Sequence, residues 1–417
     1  MKIEEVLQEA YRLTTPDREE EKELRETAHL AKKLIREIIE NNNIEADVDV
    51  YGSAARSTWL PGQRDIDVFV VIHNRDVKLE DVLKILVKNL REVGVPISLR
   101  YAQHPYLTAR IGRYEVDVVP CYKIAMGERP LTAADRTPLH HQFLIERLNE
   151  EMKRDVRVLK LFLRGVGIYG AEIKIEGFSG YLTELLVAYY GSFLNVLRAA
   201  ANWRPFKTYI TFFGDGAKFR APLVFIDPVD PSRNAAAAVS LTSMSTFILA
   251  SRRFLKRPSI SYFTPSTKSA LMLNTVEVVF TYPQEPPEVV WGRFKKRGRS
   301  LYKWLRECGF KVYRWGVESD DETYVALVYV VESVELPPYI LHRGPPVYDD
   351  AVDVFVEKYL GEDVVGPFVQ GSRVYIIKRR KYTHISECIE KHLGRGDYRI
   401  ELNKYRGPLV QKNSWIT

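Results

Sequence analysis

Two aspartates separated by one apolar residue, Asp65-Ile66-Asp67, open an unbroken apolar run, Val68-Phe69-Val70-Val71-Ile72. In a strand, residues two apart point to the same face. The two carboxylates would lie roughly 6.6 Å apart along the chain, at ~3.3 Å per residue. Like charges placed this way repel unless a cation lies between them. An oxygen-only pair suits Mg²⁺, which also keeps phosphate oxygens in its shell. Upstream, Gly52-Ser53 follows the alternating Val48 and Val50. The N–H groups and hydroxyl of such a turn, with Arg56 one turn later, can hold a polyphosphate. Each element alone is common. Together, ahead of a buried strand, they specify a metal-dependent site for a phosphorylated ligand.

The stretch resembles the signature of the nucleotidyltransferase superfamily, Gly-Ser and then Asp-hydrophobic-Asp. The insert Arg56-Ser57-Thr58-Trp59-Leu60-Pro61-Gly62, followed by Asp65-Ile66-Asp67-Val68-Phe69, narrows the match. It is similar to the archaeal, class I CCA-adding enzymes, tRNA nucleotidyltransferases that build the 3′ CCA end without a nucleic-acid template. The resemblance implies an α+β chain. It would have a polymerase-beta-like nucleotidyltransferase head with a mixed sheet over 1–145 and a mainly helical central domain over 146–260. An α/β RNA-binding region would follow over 261–417. It also implies a third metal ligand on a neighbouring strand. Asp117, inside the apolar strand Tyr114 to Pro120, fits, with Glu115 on the same face as second choice. A lone acid in such a strand is otherwise an edge or exposed residue.

The resemblance carries further. A histidine after Arg136-Thr137-Pro138 would contact the nucleotide. His141 fits the spacing to Lys160 best, and His140 could substitute. Zinc is a poor reading of the pair, since no other His or Cys stands at ligand spacing. Lys160 and Tyr169 match positions that hold the triphosphate. Arg233 matches an arginine beside the base and the tRNA backbone, against the alternative of a salt bridge to Asp227 or Asp230. Gly165-Val166-Gly167-Ile168-Tyr169-Gly170 is a literal G-x-G-x-x-G. It follows a helical pattern, so glycine ending a helix is the better account than a dinucleotide turn. Ser179 reads as the cap of the next helix.

At 417 residues, two or three compact units are expected. The composition, 46% hydrophobic and 28% charged, is that of a globular protein. No apolar run approaches a membrane span, and the acidic start lacks a secretion signal, so a cytoplasmic location is expected. Cys121, Cys308 and Cys388 form no framework and read as small buried hydrophobes. Thr15-Pro16 reads as a helix start, and a helix is expected to begin near Asn234. The net charge of +7 concentrates in two places. One is Trp291 to Leu305, with Arg293, Lys295, Lys296 and Arg297 among its bases and no acid. The other is Lys378-Arg379-Arg380-Lys381. Interleaved with aromatics such as Tyr302 and Tyr382, both suit an RNA backbone, and a solvated face is the plainer alternative.

The expected function is addition of C, C and A to the 3′ end of tRNA from CTP and ATP. Two Mg²⁺ ions would be held by Asp65, Asp67 and Asp117, with pyrophosphate released. The tRNA would be met at its 3′ end and acceptor/T arm. No protein partner is evident, and a homodimer is compatible with the sequence. A poly(A) polymerase or other terminal nucleotidyltransferase is the nearest alternative. An idle RNA-binding protein is the second.

Overall fold

The computed structural model describes residues 2–101, 105–214, 218–265, 273–361, 363–403, 407 and 409. Two helices begin it, α1 (Ile3–Thr14) and α2 (Arg18–Asn41). The expected cap at Thr15 is displaced by two residues. Asp17 caps α2, its carboxylate accepting from the Glu20 N–H at 2.7 Å. A charged cap also suits the positive end of the helix dipole. Then come β1 (Ala46–Tyr51), α3 (Gly52–Arg56), β2 (Asp65–Ile72), α4 (Leu79–Glu92), β3 (Ile97–Tyr101), β4 (Pro105–Ile111) and β5 (Tyr114–Tyr122). The Gly-Ser turn is thus the start of the one-turn helix α3.

The five strands form a mixed sheet in the order β1-β2-β5-β4-β3, with β2 and β5 parallel and the other pairs antiparallel. Ile66, Val68, Val70 and Ile72, with Val116 and Val118, bury in a core shared with α2 and α4. Alternation turns Asp65, Asp67 and Asp117 to the opposite face. The register sets Asp67 beside Asp117 and Asp65 beside Glu115. Asp117 lies inside the sheet, not on an edge strand.

Further on are α5 (Thr137–Ile145), α6 (Glu150–Gly165), α7 (Gly180–Tyr190), α8 (Phe193–Ala200), β6 (Thr208–Ile210), β7 (Leu223–Phe225) and α9 (Leu241–Lys256). They enclose a second core dense in phenylalanine, with Phe162, Phe193, Phe247 and Phe254 fully buried. Helix α1 belongs to this core: Val6 and Ala10 bury there, and the Tyr11 hydroxyl donates to Asp155 of α6. The glycine run ends α6, where Gly167 takes a φ of +78° that side chains rarely adopt. Ser179 caps α7, accepting from the Leu182 N–H at 3.1 Å. The helix expected from Asn234 does not form. The Asn234 amide accepts from the Phe225 N–H at 2.9 Å and donates to the Leu223 carbonyl at 3.0 Å, tying its loop to β7. Asparagine favours such local backbone bonds over helix. The helix starts instead at Leu241, capped by Ser240.

These elements make one compact unit, Met1–Ser266, and Thr267–Lys412 makes another. The second contains β8 (Asn274–Thr281), α10 (Pro287–Glu307), β9 (Val312–Ser319), β10 (Tyr324–Val331), β11 (Tyr339–Pro346), α11 (Ala351–Tyr359), β12 (Val364–Gln370), β13 (Arg373–Arg379), α12 (Ile385–Leu393) and β14 (Tyr398–Leu402). They form two sheets, β14-β8-β10-β9 and β11-β13-β12. The first basic stretch lies in α10, which buries Trp291, Phe294, Leu301 and Leu305 and exposes Lys296, Arg299 and Lys303. Arg293 pairs with Glu285, and Arg297 lies over the Phe280 ring. The second run begins at the end of β13. Lys378 stands over Tyr359 and Lys381 over Tyr382.

The cysteines depart from expectation. Cys121 is free and buried, but Cys308 and Cys388 are joined, with Cα atoms 6.7 Å apart. Packing of α10 on α12 brings the two together across 80 residues of sequence, a separation with no local signature. Losing a native disulfide costs about 2–5 kcal/mol. Cys308→Ser should therefore lower the melting temperature, and reductant should lower that of the wild-type chain to match. Equal melting curves for all three samples would show that the bridge contributes no stability.

Candidate active site

The face of the sheet that carries Asp67 borders a cavity of about 320 Å³. Its wall includes Gly52, Ser53, Asp67, His140, Lys160 and Tyr181. The volume suits a small ligand. Of the residues expected at the nucleotide, Ser53, Arg56, Lys160 and Tyr169 all reach this wall, whereas His141 and Arg233 do not line it.

Gly52 makes the first constraint. Its φ is +68°, and a Cβ there would lie 2.0 Å from the Asp67 Oδ2. Only glycine lets α3 start this close to the carboxylate. Asp67 is half-buried, and its acid is pushed up to about 6, first by burial and next by the Asp117 charge, with Asp65 adding to it. Asp117 accepts from the Thr108 hydroxyl at 2.6 Å. Among the described residues, no three His, Cys, Asp or Glu side chains are gathered tightly enough to hold a metal ion by themselves. The acids do supply hard oxygen donors on one face, and their crowded charge is what a divalent cation would relieve.

Glu184, fully buried on α7, organises the next layer. Arg56 grips it with two donors, Nη2 to Oε2 at 2.7 Å and Nε to Oε1 at 3.2 Å. The Thr58 hydroxyl donates to the same carboxylate. The Lys160 ammonium donates to the Thr58 carbonyl at 2.9 Å and stands 3.9 Å from Glu184. Burial pulls Lys160 down to about 8, with Glu184 opposing that fall. Burial alone would raise Glu184, but Arg56 and Lys160 together hold it below its ordinary value.

A second buried acid, Asp227, gathers the other end. It accepts from the Arg233 guanidinium, from His140 Nε2 at 3.0 Å and from the Tyr181 hydroxyl at 3.3 Å. The His140 ring lies 4.1 Å from that of Tyr181. Arg233 thus makes the salt bridge weighed as the alternative, while its side chain remains 38% exposed and open to further contacts. The two histidines part company: His140 faces the cavity, and His141 sits behind Arg56, its Nδ1 3.3 Å from Nη1. Burial, then the Arg56 charge, pushes His141 down to about 4.

The sequence reading gave no role to Thr137, Tyr181 or Glu184, and it gave Asp227 only as one possible salt-bridge partner of Arg233. Glu184 carries a signal in hindsight: an acid between Leu182 and the run Leu185-Leu186-Val187, inside an apolar helix, must have buried partners. Asp227 comes two residues after a fully buried strand, behind the buried Ile226, which is the same kind of signal.

Three family models match the chain in series: a nucleotidyltransferase domain over residues 31–140, the second domain of tRNA nucleotidyltransferases over 154–264, and the C-terminal domain of CCA-adding enzymes over 273–397. The CCA-adding enzyme of Pyrobaculum islandicum is 66% identical over 415 residues, covering 100% of this chain and 99% of that protein. That of Methanocaldococcus jannaschii is 34% identical, covering 99% and 96%. The chain belongs to the CCA-adding enzymes. Its α+β fold is that of a nucleotidyltransferase head with the domains this family appends. As in this class, it uses nucleotide substrates and a divalent metal. Among the described residues, no helix is long and apolar enough to cross a membrane.

The approach of Gly52 to Asp67 in this CCA-adding enzyme gives a direct test. Gly52→Ala must displace either α3 or the Asp67 carboxylate. Misplacing a reacting group by about 1 Å can cost ~10²-fold. Nucleotide incorporation should fall by at least that factor, while stability falls by only about 1–2 kcal/mol from the left-handed backbone. Wild-type incorporation would show that Asp67 needs no such placement.

Proposed function

We infer that this chain adds C, C and A to the 3′ end of tRNA from CTP and ATP, without a nucleic-acid template. Full-length identity to CCA-adding enzymes supports the reaction. The observation that carries the site is the cavity where Asp67, Ser53, Arg56 and Lys160 converge. Asp65, Asp67 and Asp117 are the residues that would hold two Mg²⁺ ions, with phosphate oxygens completing the shells. Bound there, the cations supply charge that favours deprotonation of the tRNA 3′-hydroxyl and departure of pyrophosphate.

The chain's own residues do the rest. Ser53 on α3 and Tyr169 beyond α6 offer hydroxyls to the phosphates, between the cationic Arg56 and Lys160. Arginine supplies a planar fork, and lysine a compact charge, so the two brace different oxygens. At the other end, Asp227 holds Arg233, His140 and Tyr181 as one group beside the base. His140 lines the cavity and His141 does not, which supports His140 as the histidine that meets the nucleotide. A fixed set of donors at the base edge discriminates better than a free one.

Arg293, Lys295, Lys296 and Arg297 on α10 and Lys378, Arg379, Arg380 and Lys381, which run from the end of β13 onward, are read as contacts to the tRNA acceptor/T arm. Their charge suits phosphate binding, and their neighbours Tyr302 and Tyr382 suit stacking.

The test is incubation with tRNA lacking its last three nucleotides. CTP alone should give two additions, ATP alone essentially none, and both together three. Long homopolymer tails from ATP alone would favour poly(A) polymerase instead. Asp67→Ala should abolish all additions, a loss of ~10³-fold or more, while tRNA binding persists. Near-normal incorporation by that variant would remove the metal assignment.

A further inference from the structure

A carboxylate buried beside a triphosphate site needs an explanation, because its charge opposes that of the phosphates. Glu184 is 1% exposed and still lines the cavity. We propose that Glu184 and His141 are positioning residues that fix the Arg56 guanidinium from two sides, Glu184 also holding Lys160, so that both cations stand ready for the nucleotide phosphates. This rests on the reading of the cavity as the nucleotide site. It adds residues that never touch the reacting atoms.

The geometry carries the argument. Arg56 spends Nε and Nη2 on the Glu184 carboxylate, at 3.2 and 2.7 Å. Its Nη1 lies 3.3 Å from the His141 Nδ1. A planar guanidinium tied at three nitrogens cannot swing, so its remaining N–H bonds have fixed directions. His141 is itself fixed edge-on against Tyr51, with centroids 5.1 Å apart. Thr58 completes the mesh, donating through its hydroxyl to Glu184 and accepting through its carbonyl from Lys160. One carboxylate on α7 therefore orders two cations, one from α3 and one from α6.

Charge gives the reason for an acid here. Arg56 and Lys160 are both buried, and two buried like charges repel strongly without a counter-ion. Glu184 balances one of them and leaves one net positive charge for the incoming phosphates. The groups facing Lys160 are Glu184 from α7, Arg56 from α3, and Arg157 and Arg164 from its own helix. Glu184 is the acid among them. Without its charge, Lys160 would give up its proton at lower pH. His141, held neutral at ordinary pH by burial and by Arg56, is able to accept from that arginine.

The experiment compares wild type with Glu184→Gln and His141→Phe in the full chain. It measures kcat and KM for CTP and for ATP on tRNA lacking its 3′ end, from pH 6 to 9. Melting temperature and tRNA affinity are measured beside them. Glu184→Gln keeps the size and loses the charge. It should raise KM for both nucleotides roughly tenfold or more, the scale of a lost hydrogen bond to a charged group. The drop in kcat should be smaller, the alkaline fall of kcat/KM should move to lower pH, and tRNA affinity should stay unchanged. His141→Phe keeps the contact with Tyr51 and should raise both KM values by a smaller factor with no movement of the alkaline limb. In an Arg56→Ala background, His141→Phe should add nothing.

Wild-type KM values and an unmoved alkaline limb in a folded Glu184→Gln variant overturn the proposal. If that variant does not fold, the decision passes to His141→Phe, where unchanged KM values overturn it and raised ones support it. Absence of any nucleotide addition by the wild-type chain would instead strike the reading of the cavity, which separates the two failures.

Discussion

The buried ion pair between Arg56 and Glu184 is the interaction on which the rest of the first unit depends. It joins the one-turn helix after β1 to a helix that begins more than a hundred residues later. Both partners are almost fully enclosed, so the pair needs further polar partners to offset its desolvation. The Thr58 hydroxyl donates to Glu184, the Lys160 ammonium stands 3.9 Å from it, and His141 meets Arg56. Removing one member would leave an uncompensated buried charge, which costs far more than the pair contributes. The sheet bearing Asp67 and the helices bearing Lys160 and Tyr181 are thereby set around one cavity.

The same economy appears at Asp227, the second buried acid. Each carboxylate collects cationic and hydroxyl donors from separate elements and fixes them as a group. Glu184 serves the side near Asp67, and Asp227 serves the side near His140. A site built this way is rigid before any ligand arrives, so little ordering remains to be done on binding. Asp67 is the exception, since its acid is raised by burial and by Asp117. In the proposed reading that unrelieved charge is what draws the divalent metal.

Much of this was legible in the sequence, and the limits have physical causes. The Asp65-Ile66-Asp67 pair and the strand after it follow from alternation, which is a local rule, whereas Asp117 on the facing strand was readable only through the family resemblance. Ser53, Arg56, Lys160 and Tyr169 were readable because their spacing resembles a family pattern. Glu184 escaped because its partners Arg56, Thr58 and Lys160 are distant in sequence, and Asp227 was foreseen only through Arg233, six residues on, not through His140 and Tyr181. Which of His140 and His141 lines the cavity turns on one residue of helical rotation, about 100° on α5, which spacing does not resolve. The Asn234 helix failed because its amide found better use on β7. The disulfide was missed because 80 residues separate its cysteines and bridges are rare inside cells, hyperthermophiles excepted.

The central claim is that one cavity holds the nucleotide, with Asp67 of β2 lining its phosphate end, Asp117 beside it on β5, and the Asp227 group near the base. A crystal structure with a non-hydrolysable CTP analogue and Mn²⁺, recorded at the manganese edge, tests it most directly. The account predicts anomalous density between Asp67 and Asp117, phosphates against Ser53, Arg56 and Lys160, and the cytosine beside Arg233 and His140. Manganese away from those acids, or a triphosphate bound outside this cavity, would contradict it.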